Sequence, residues 1–174
     1  MTLNSSYRTL ITCVMCTTVC VAAVALWQIT GQQFRYNQYR SCASNLRSIG
    51  GAFNLYAADW DDCLPNSGTW CDVVLNNPPR DPNVALESSK QSEAVLRCPA
   101  VPQFGYAMNI ALSGKTRRVI GDNSVMIFEA NSSAYNATGS IADLTATRHS
   151  NLNCLLSNGK VVTYNQYWRT NSHW

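Results

Sequence analysis

Twenty consecutive residues near the start of this chain, Leu10 to Ile29, carry no formal charge. As a helix rising about 1.5 Å per residue they would span roughly 30 Å, the thickness of a bilayer's hydrocarbon core. Beyond them, Tyr39, Cys42, Leu46, Ile49, Phe53, Tyr56 and Trp60 recur at spacings of 3, 4, 3, 4, 3 and 4. That period places all seven on one face of a helix. A lipid-compatible segment followed by a half-buried one is how a chain anchors, or polymerises, through one long helical stem.

The remaining length allows one domain. The chain has 174 residues, and about 140 follow the apolar segment, enough for a real core. Only 13% of residues are charged and the formal net charge is +3. The densest basic cluster, Lys115, Arg117 and Arg118, lacks interleaved aromatics, which argues against nucleic acid as a partner.

The apolar segment admits two readings. Arg8 and the small residues Ala23-Val24-Ala25 fit a signal peptide released after Ala25, which would make the rest a secreted or surface-displayed binding module. A run of twenty exceeds the usual h-region, and length therefore favours retention as a membrane span. Positive charges after the span (Arg35, Arg40, Arg47) outnumber those before it and lean toward a cytoplasmic C-terminal side. The cysteines lean the other way. Cys13, Cys16 and Cys20 lie in the apolar run, where a thiol is a small hydrophobe. Cys42, Cys63, Cys71, Cys98 and Cys154 lie beyond it, with no CxxC pair and only two histidines in the chain, so a zinc site is not indicated. Five thiols allow at most two bridges, which would suit an extracytoplasmic domain.

Turn chemistry divides the remainder. The amphipathic helix is expected from about Gln32 to Asp61-Asp62, with Pro65 forbidding continuation. Gly50-Gly51 within it marks a bend or a close approach by a strand, and Thr30-Gly31 a second joint. Residues 63–102 read as irregular, with Asn76-Asn77-Pro78-Pro79 and Asp81-Pro82-Asn83 as turns and a short helix near Glu87 to Leu96. Strands are expected at Phe104–Leu112 and Ser124–Ala130. The hairpin turn Asn158-Gly159 should be of the two-residue type I′ kind, pairing Leu156 with Val161, Leu155 with Val162 and Asn153 with Tyr164. The fold class is α+β: a long N-terminal helix packed on a small antiparallel sheet. The chain divides into a tail (1–8), a membrane helix (9–30) and a C-terminal domain (31–174). That domain comprises a helix (31–62), an irregular region (63–102), strands (103–165) and a tail (166–174).

In order, these parts resemble the pilin-like proteins of type IV pilus and type II secretion systems, in particular those with a prepilin-type N-terminus and a C-terminal His-x-Asp-Gly hairpin. The resemblance rests on four passages. They are Ser41-Cys42-Ala43-Ser44-Asn45-Leu46 through Tyr56-Ala57-Ala58-Asp59-Trp60-Asp61; Pro65; Arg97-Cys98-Pro99 with Tyr106-Ala107-Met108-Asn109; and Arg148-His149 leading to Asn158-Gly159-Lys160-Val161. It implies a pilin-like fold and a structural or assembly subunit of a pseudopilus or pilus-like system. It further implies an inner-membrane location with the C-terminal domain outside, homo- or hetero-oligomeric contacts with other pilin-like subunits, and no catalysis. Cys42 and Cys98 occupy the two cysteine positions of the resembled motifs, which implies a bridge between them. The departures are specific. Tyr7 and Arg8 stand where the processed Gly-Phe pair belongs, Thr12 replaces the glutamate that registers subunits, and Lys160 replaces a histidine. Processing and methylation are therefore not carried over.

Three other groups suggest chemistry. His149 with Glu129 would make an acid–base pair only if the two converged on one substrate; a surface or structural role is the expectation for each. Asp59, Asp61 and Asp62 offer oxygen ligands of the type calcium takes, but their spacing matches no EF-hand loop, and no cofactor is expected. Asn131-Ser132-Ser133 and Asn136-Ala137-Thr138 match the glycosylation triplet, a pattern common by chance.

Overall fold

The computed structural model describes residues 5–76, 93–101, 103–130, 134–143 and 151–165. Arg148, His149, the Asn131 triplet, the proline turns at 78–82 and the tail from 166 lie outside them. The expected helix near Glu87 begins outside them too. The chain forms two units, Met1–Asn37 and Gln38–Trp174.

The first unit is helical from Ser5. Its apolar side chains are exposed, Trp27 at 82% and Val21 at 70% among them. A helix that is greasy all round and buries none of it in protein has the surface of a membrane span. Three threonine hydroxyls are satisfied within the helix: Thr17 donates to the Val14 carbonyl and Thr18 to that of Met15, both at 2.9 Å, and Thr30 donates to Leu26. Such bonds keep polar hydrogens off an apolar solvent. By length and composition this helix can cross a membrane.

The same element, α1 (Ser5–Asp59), runs on into the second unit. The helix is continuous through Thr30-Gly31, the position considered as a joint, as one long N-terminal helix is expected to be. Within the second unit α1 buries Cys42, Leu46, Ile49, Ala52, Phe53 and Ala57, while Tyr39 and Tyr56 are half-buried. Trp60 departs from the expected stripe: it is 60% exposed and stacks on Tyr56 at 5.6 Å. The helix ends before it. The Asp62 N–H returns to the Ala57 carbonyl at 2.9 Å, and Asp61 takes a left-handed φ of 50°. This Schellman-type stop turns the chain away one residue past Asp59.

A second helix, α2 (Trp70–Asn76), lies within the region expected to be irregular. Five strands follow: β1 (Tyr106–Asn109), β2 (Val125–Glu129), β3 (Thr138–Gly139), β4 (Asn151–Leu156) and β5 (Val161–Asn165), in the sheet order β3-β1-β2-β4-β5. The architecture is α+β, as the patterning predicts. The sheet is mixed, because β3 runs parallel to β1 while the other pairs are antiparallel. The first strand is shorter than expected: Asn109 ends it by accepting the Ala111 N–H and donating to the Val125 carbonyl at 2.9 Å. β1 and β2 are buried at every position, not at alternate ones. Both faces of the sheet are therefore covered. One core lies between the sheet and Leu46, Ile49 and Phe53 of α1, joined by Trp70 of α2. A smaller one gathers Ala107, Phe128, Leu152 and Cys154 on the other face.

Gly50 is where helix and sheet come closest. A Cβ built there would meet Leu155 Cδ1 of β4 at 2.9 Å, which identifies the glycine as the site of close approach.

The hairpin forms around Asn158-Gly159 but not as a two-residue turn. Only Gly159 is left-handed, at φ 80°. The Gly159 N–H donates to the Leu156 carbonyl and the Leu156 N–H to that of Lys160, both at 2.9 Å. The loop is thus Ser157–Asn158–Gly159, a turn followed by a glycine bulge. The extra residue shifts the pairing by one: Leu155 faces Val161, Cys154 faces Val162 and Asn153 faces Thr163. Tyr164, expected opposite Asn153, lies opposite Leu152 and packs against the smaller core.

Candidate functional site at the helix–sheet seam

The one-residue shift builds a row. Tyr106 of β1 is paired with Glu129 of β2, and Asn153 of β4 with Thr163 of β5. The β2–β4 register, with Phe128 opposite Cys154, sets Glu129 beside Asn153 one step further on. Because strand side chains alternate, all four point to the face that also carries Met108, Ile127 and Leu155, the face turned to α1. One row is polar and the next is apolar.

The polar row is wired from strand to strand and onto the helix. Glu129 Oε2 accepts the Asn153 N–H at 3.2 Å and Oε1 accepts Asn153 Nδ2 at 3.0 Å. Asn153 Oδ1 accepts the Thr163 hydroxyl at 3.0 Å, and Thr163 Oγ1 lies 2.5 Å from the Tyr39 hydroxyl on α1. The Asn153 amide also reaches the Tyr39 carbonyl, and the Tyr106 hydroxyl donates to that of Cys42 at 3.4 Å. Glu129 and Asn153 are 1% and 0% exposed. A carboxylate that far from water is tolerable only with such donors.

The disulfide lies at this end of the seam. Cys42 of α1 is bonded to Cys98, with Cα atoms 5.4 Å apart. Side chains of α1 hold the second strand of the link on both sides of the sulfur: Asn45 Nδ2 donates to the Arg97 carbonyl at 2.9 Å and Gln38 Nε2 to that of Pro99 at 3.2 Å. The Cys42 and Cys98 sulfurs and a Glu129 oxygen lie within 4.8 Å of one another. This arrangement fastens a helix to a sheet. It presents no reacting group to solvent, since its acid and both sulfurs are buried.

The other groups singled out from sequence fall elsewhere. Asp62 is engaged by Arg117, whose Nη2 and Nε lie 2.5 and 2.7 Å from Asp62 Oδ1. Arg117 Nη1 also donates to Asn54 at 2.7 Å, so the guanidinium ties Asp62 to α1. Asp59 and Asp61 are exposed. Asn136 of the second glycosylation triplet is left-handed, at φ 54°, and its side chain is spent: Oδ1 accepts the Cys71 N–H at 2.7 Å and Nδ2 donates to Asp72 at 3.1 Å. Sequence places Asn153 only as a hairpin residue opposite Tyr164, and does not mark Thr163 at all. Their signal was the bulge, because only the shifted register puts Thr163 in the row.

Two buried thiols respond to this packing. Burial, and secondarily Glu129, hold the Cys154 thiol well above its ordinary range. Burial pushes Cys71 up to about 12, against a partly offsetting hydrogen bond from the Asn136 N–H. The sign follows. Up to about pH 9 both folded and unfolded chains keep the Cys71 proton; above it only the unfolded chain releases it. Stability should therefore fall as pH rises from about 9 toward 12. Urea titrations across that range should show a shallower fall in Cys71→Ala than in the wild type; equal slopes would remove Cys71 from the account.

No protein-family model, curated protein or solved structure matches the chain.

Proposed function

We propose that the protein is a membrane-anchored, non-catalytic subunit or minor component of a pilus-like or pseudopilus-like assembly, with the unit Gln38–Trp174 held outside the cytoplasmic membrane. The observation that carries this reading is α1. One helix bears an exposed apolar segment of membrane-spanning length and then the face that closes the core of the second unit, where Cys42–Cys98 staples it. A bridge in the soluble part agrees with an oxidising, extracytoplasmic compartment. The four passages that resemble pilin-like proteins supply the assembly role. The work is mechanical: stems associate in the bilayer while the seam keeps each head fixed to its own helix.

Cys13, Cys16 and Cys20, at spacings of 3 and 4, share one face of the stem and are exposed. Oxidative cross-linking of membranes containing the full chain should give a ladder of oligomers, absent when the three are replaced by alanine. Monomer alone, across a tenfold range of expression, would leave the anchor reading and remove the assembly.

A further inference from the structure

The cluster of Cys42, Cys98 and Glu129 contains more ligating chemistry than a bridge requires. We propose that reduction of the Cys42–Cys98 disulfide converts the seam into a binding site for a thiophilic divalent cation of the zinc type, held by both thiolates and the Glu129 carboxylate. This does not depend on the assembly role.

Three observations carry it. The ligand atoms lie within 4.8 Å of one another. Tetrahedral zinc, with Zn–S near 2.3 Å and Zn–O near 2.1 Å, separates its ligands by roughly 3.5–3.8 Å, a separation the two sulfurs, bonded in the oxidised chain, must open to once the bond is cut. All three residues are at most 1% exposed, so a cation bound there would be shielded from competing water. Asn153 holds both carboxylate oxygens through its N–H and Nδ2, the kind of outer-shell support that orients a metal-ligating acid. The backbone is also fixed without the bridge, because Asn45 and Gln38 grip the carbonyls on either side of Cys98.

The steps balance with a dithiol as reductant. The dithiol is oxidised to its cyclic disulfide, the Cys42–Cys98 bond breaks, and two thiols form. On binding, the cation displaces both thiol protons to water, and its two positive charges offset two thiolates beside a carboxylate. A water or the second Glu129 oxygen completes four-coordination. Zinc and the bridge are mutually exclusive occupants of one place.

Cobalt(II) reports the site directly, through thiolate-to-metal absorption near 350 nm and d–d bands of tetrahedral intensity. The full chain in detergent, with Cys13, Cys16 and Cys20 replaced by alanine, is reduced, freed of reductant and titrated anaerobically. One cobalt per reduced chain is expected, displaced by zinc, with no band in the oxidised chain. Cys98→Ser should abolish the band. Glu129→Gln, which keeps the shape and both sulfurs, should weaken binding at least tenfold. Circular dichroism is recorded throughout, since the reduced chain is less stable. The proposal is overturned by a folded reduced chain without the band, by a band that survives in Cys98→Ser, or by affinity unchanged in Glu129→Gln. A reduced chain that unfolds and stays unfolded with cobalt overturns it as well.

Discussion

Replacing Cys42 and Cys98 together by alanine should lower the stability of the unit Gln38–Trp174 by about 2–4 kcal/mol and its Tm by roughly 6–12 °C. The bridge closes a loop across a sequence separation of 56. In the chain-entropy account a loop of that length confers close to 4 kcal/mol, by restricting the unfolded chain. The native contacts around it persist in the variant, since Asn45, Gln38 and Tyr106 bond to backbone carbonyls and not to sulfur. Urea unfolding should therefore show a lower midpoint with a cooperative transition, and reductant added to the wild type should reproduce it. A midpoint unchanged by both treatments would mean that the bridge does not form in the folded protein.

The second large effect is expected at Trp70. This side chain is 1% exposed, meets Phe53 of α1 edge-to-face at 6.4 Å, and donates from Nε1 to the Ala137 carbonyl at 3.0 Å. Trp70→Ala should cost about 3–5 kcal/mol, the range for emptying a large aromatic site in a core. Trp70→Phe should cost only about 1–2 kcal/mol, because the ring site stays filled and the Ala137 carbonyl still accepts the Met108 N–H at 2.9 Å. Against the 5–15 kcal/mol typical of a whole domain, the alanine variant removes a large share. Chemical denaturation of both variants distinguishes the account. Equal losses would mean that the hydrogen bond, not the packing, is what Trp70 contributes; a loss below about 1 kcal/mol at alanine would detach α2 from the core.

Periodicity read the long-range architecture well where it was sustained. Four members of the seven-residue stripe, Cys42, Leu46, Ile49 and Phe53, are buried against the sheet, because a 3–4 spacing leaves a helix no other way to bury them. It failed at the stripe's last member. Trp60 continues the spacing, but the left-handed Asp61 ends the helix first, and no local pattern marks an aspartate for that conformation as a glycine would. Turn chemistry located the hairpin and mistook its loop. Asn-Gly fits a two-residue turn, yet it fits a three-residue one equally well with Gly159 alone left-handed, and the choice moves every side chain of β5 to the opposite face.

That single residue explains why the polar row was hidden. Glu129 drew notice as an acid at a strand end, but its partner Asn153 becomes meaningful only once the register sets it between Glu129 and Thr163. α2 was hidden for a different reason. Seven residues, WCDVVLN, bounded by turn chemistry, are too short for a helical period to declare itself. Its burial comes from Trp70 meeting Phe53, a contact between segments that neither segment announces alone.

The apolar half of α1 is expected to reside in lipid. Alkaline carbonate washing of membranes from cells expressing the full chain tests it most directly. An integral span keeps the protein in the pellet at its full mass, as predicted from Trp27, Val21 and their exposed neighbours. Quantitative release into the supernatant, whether intact or shortened to begin at Leu26, would contradict the anchor and the assembly built upon it.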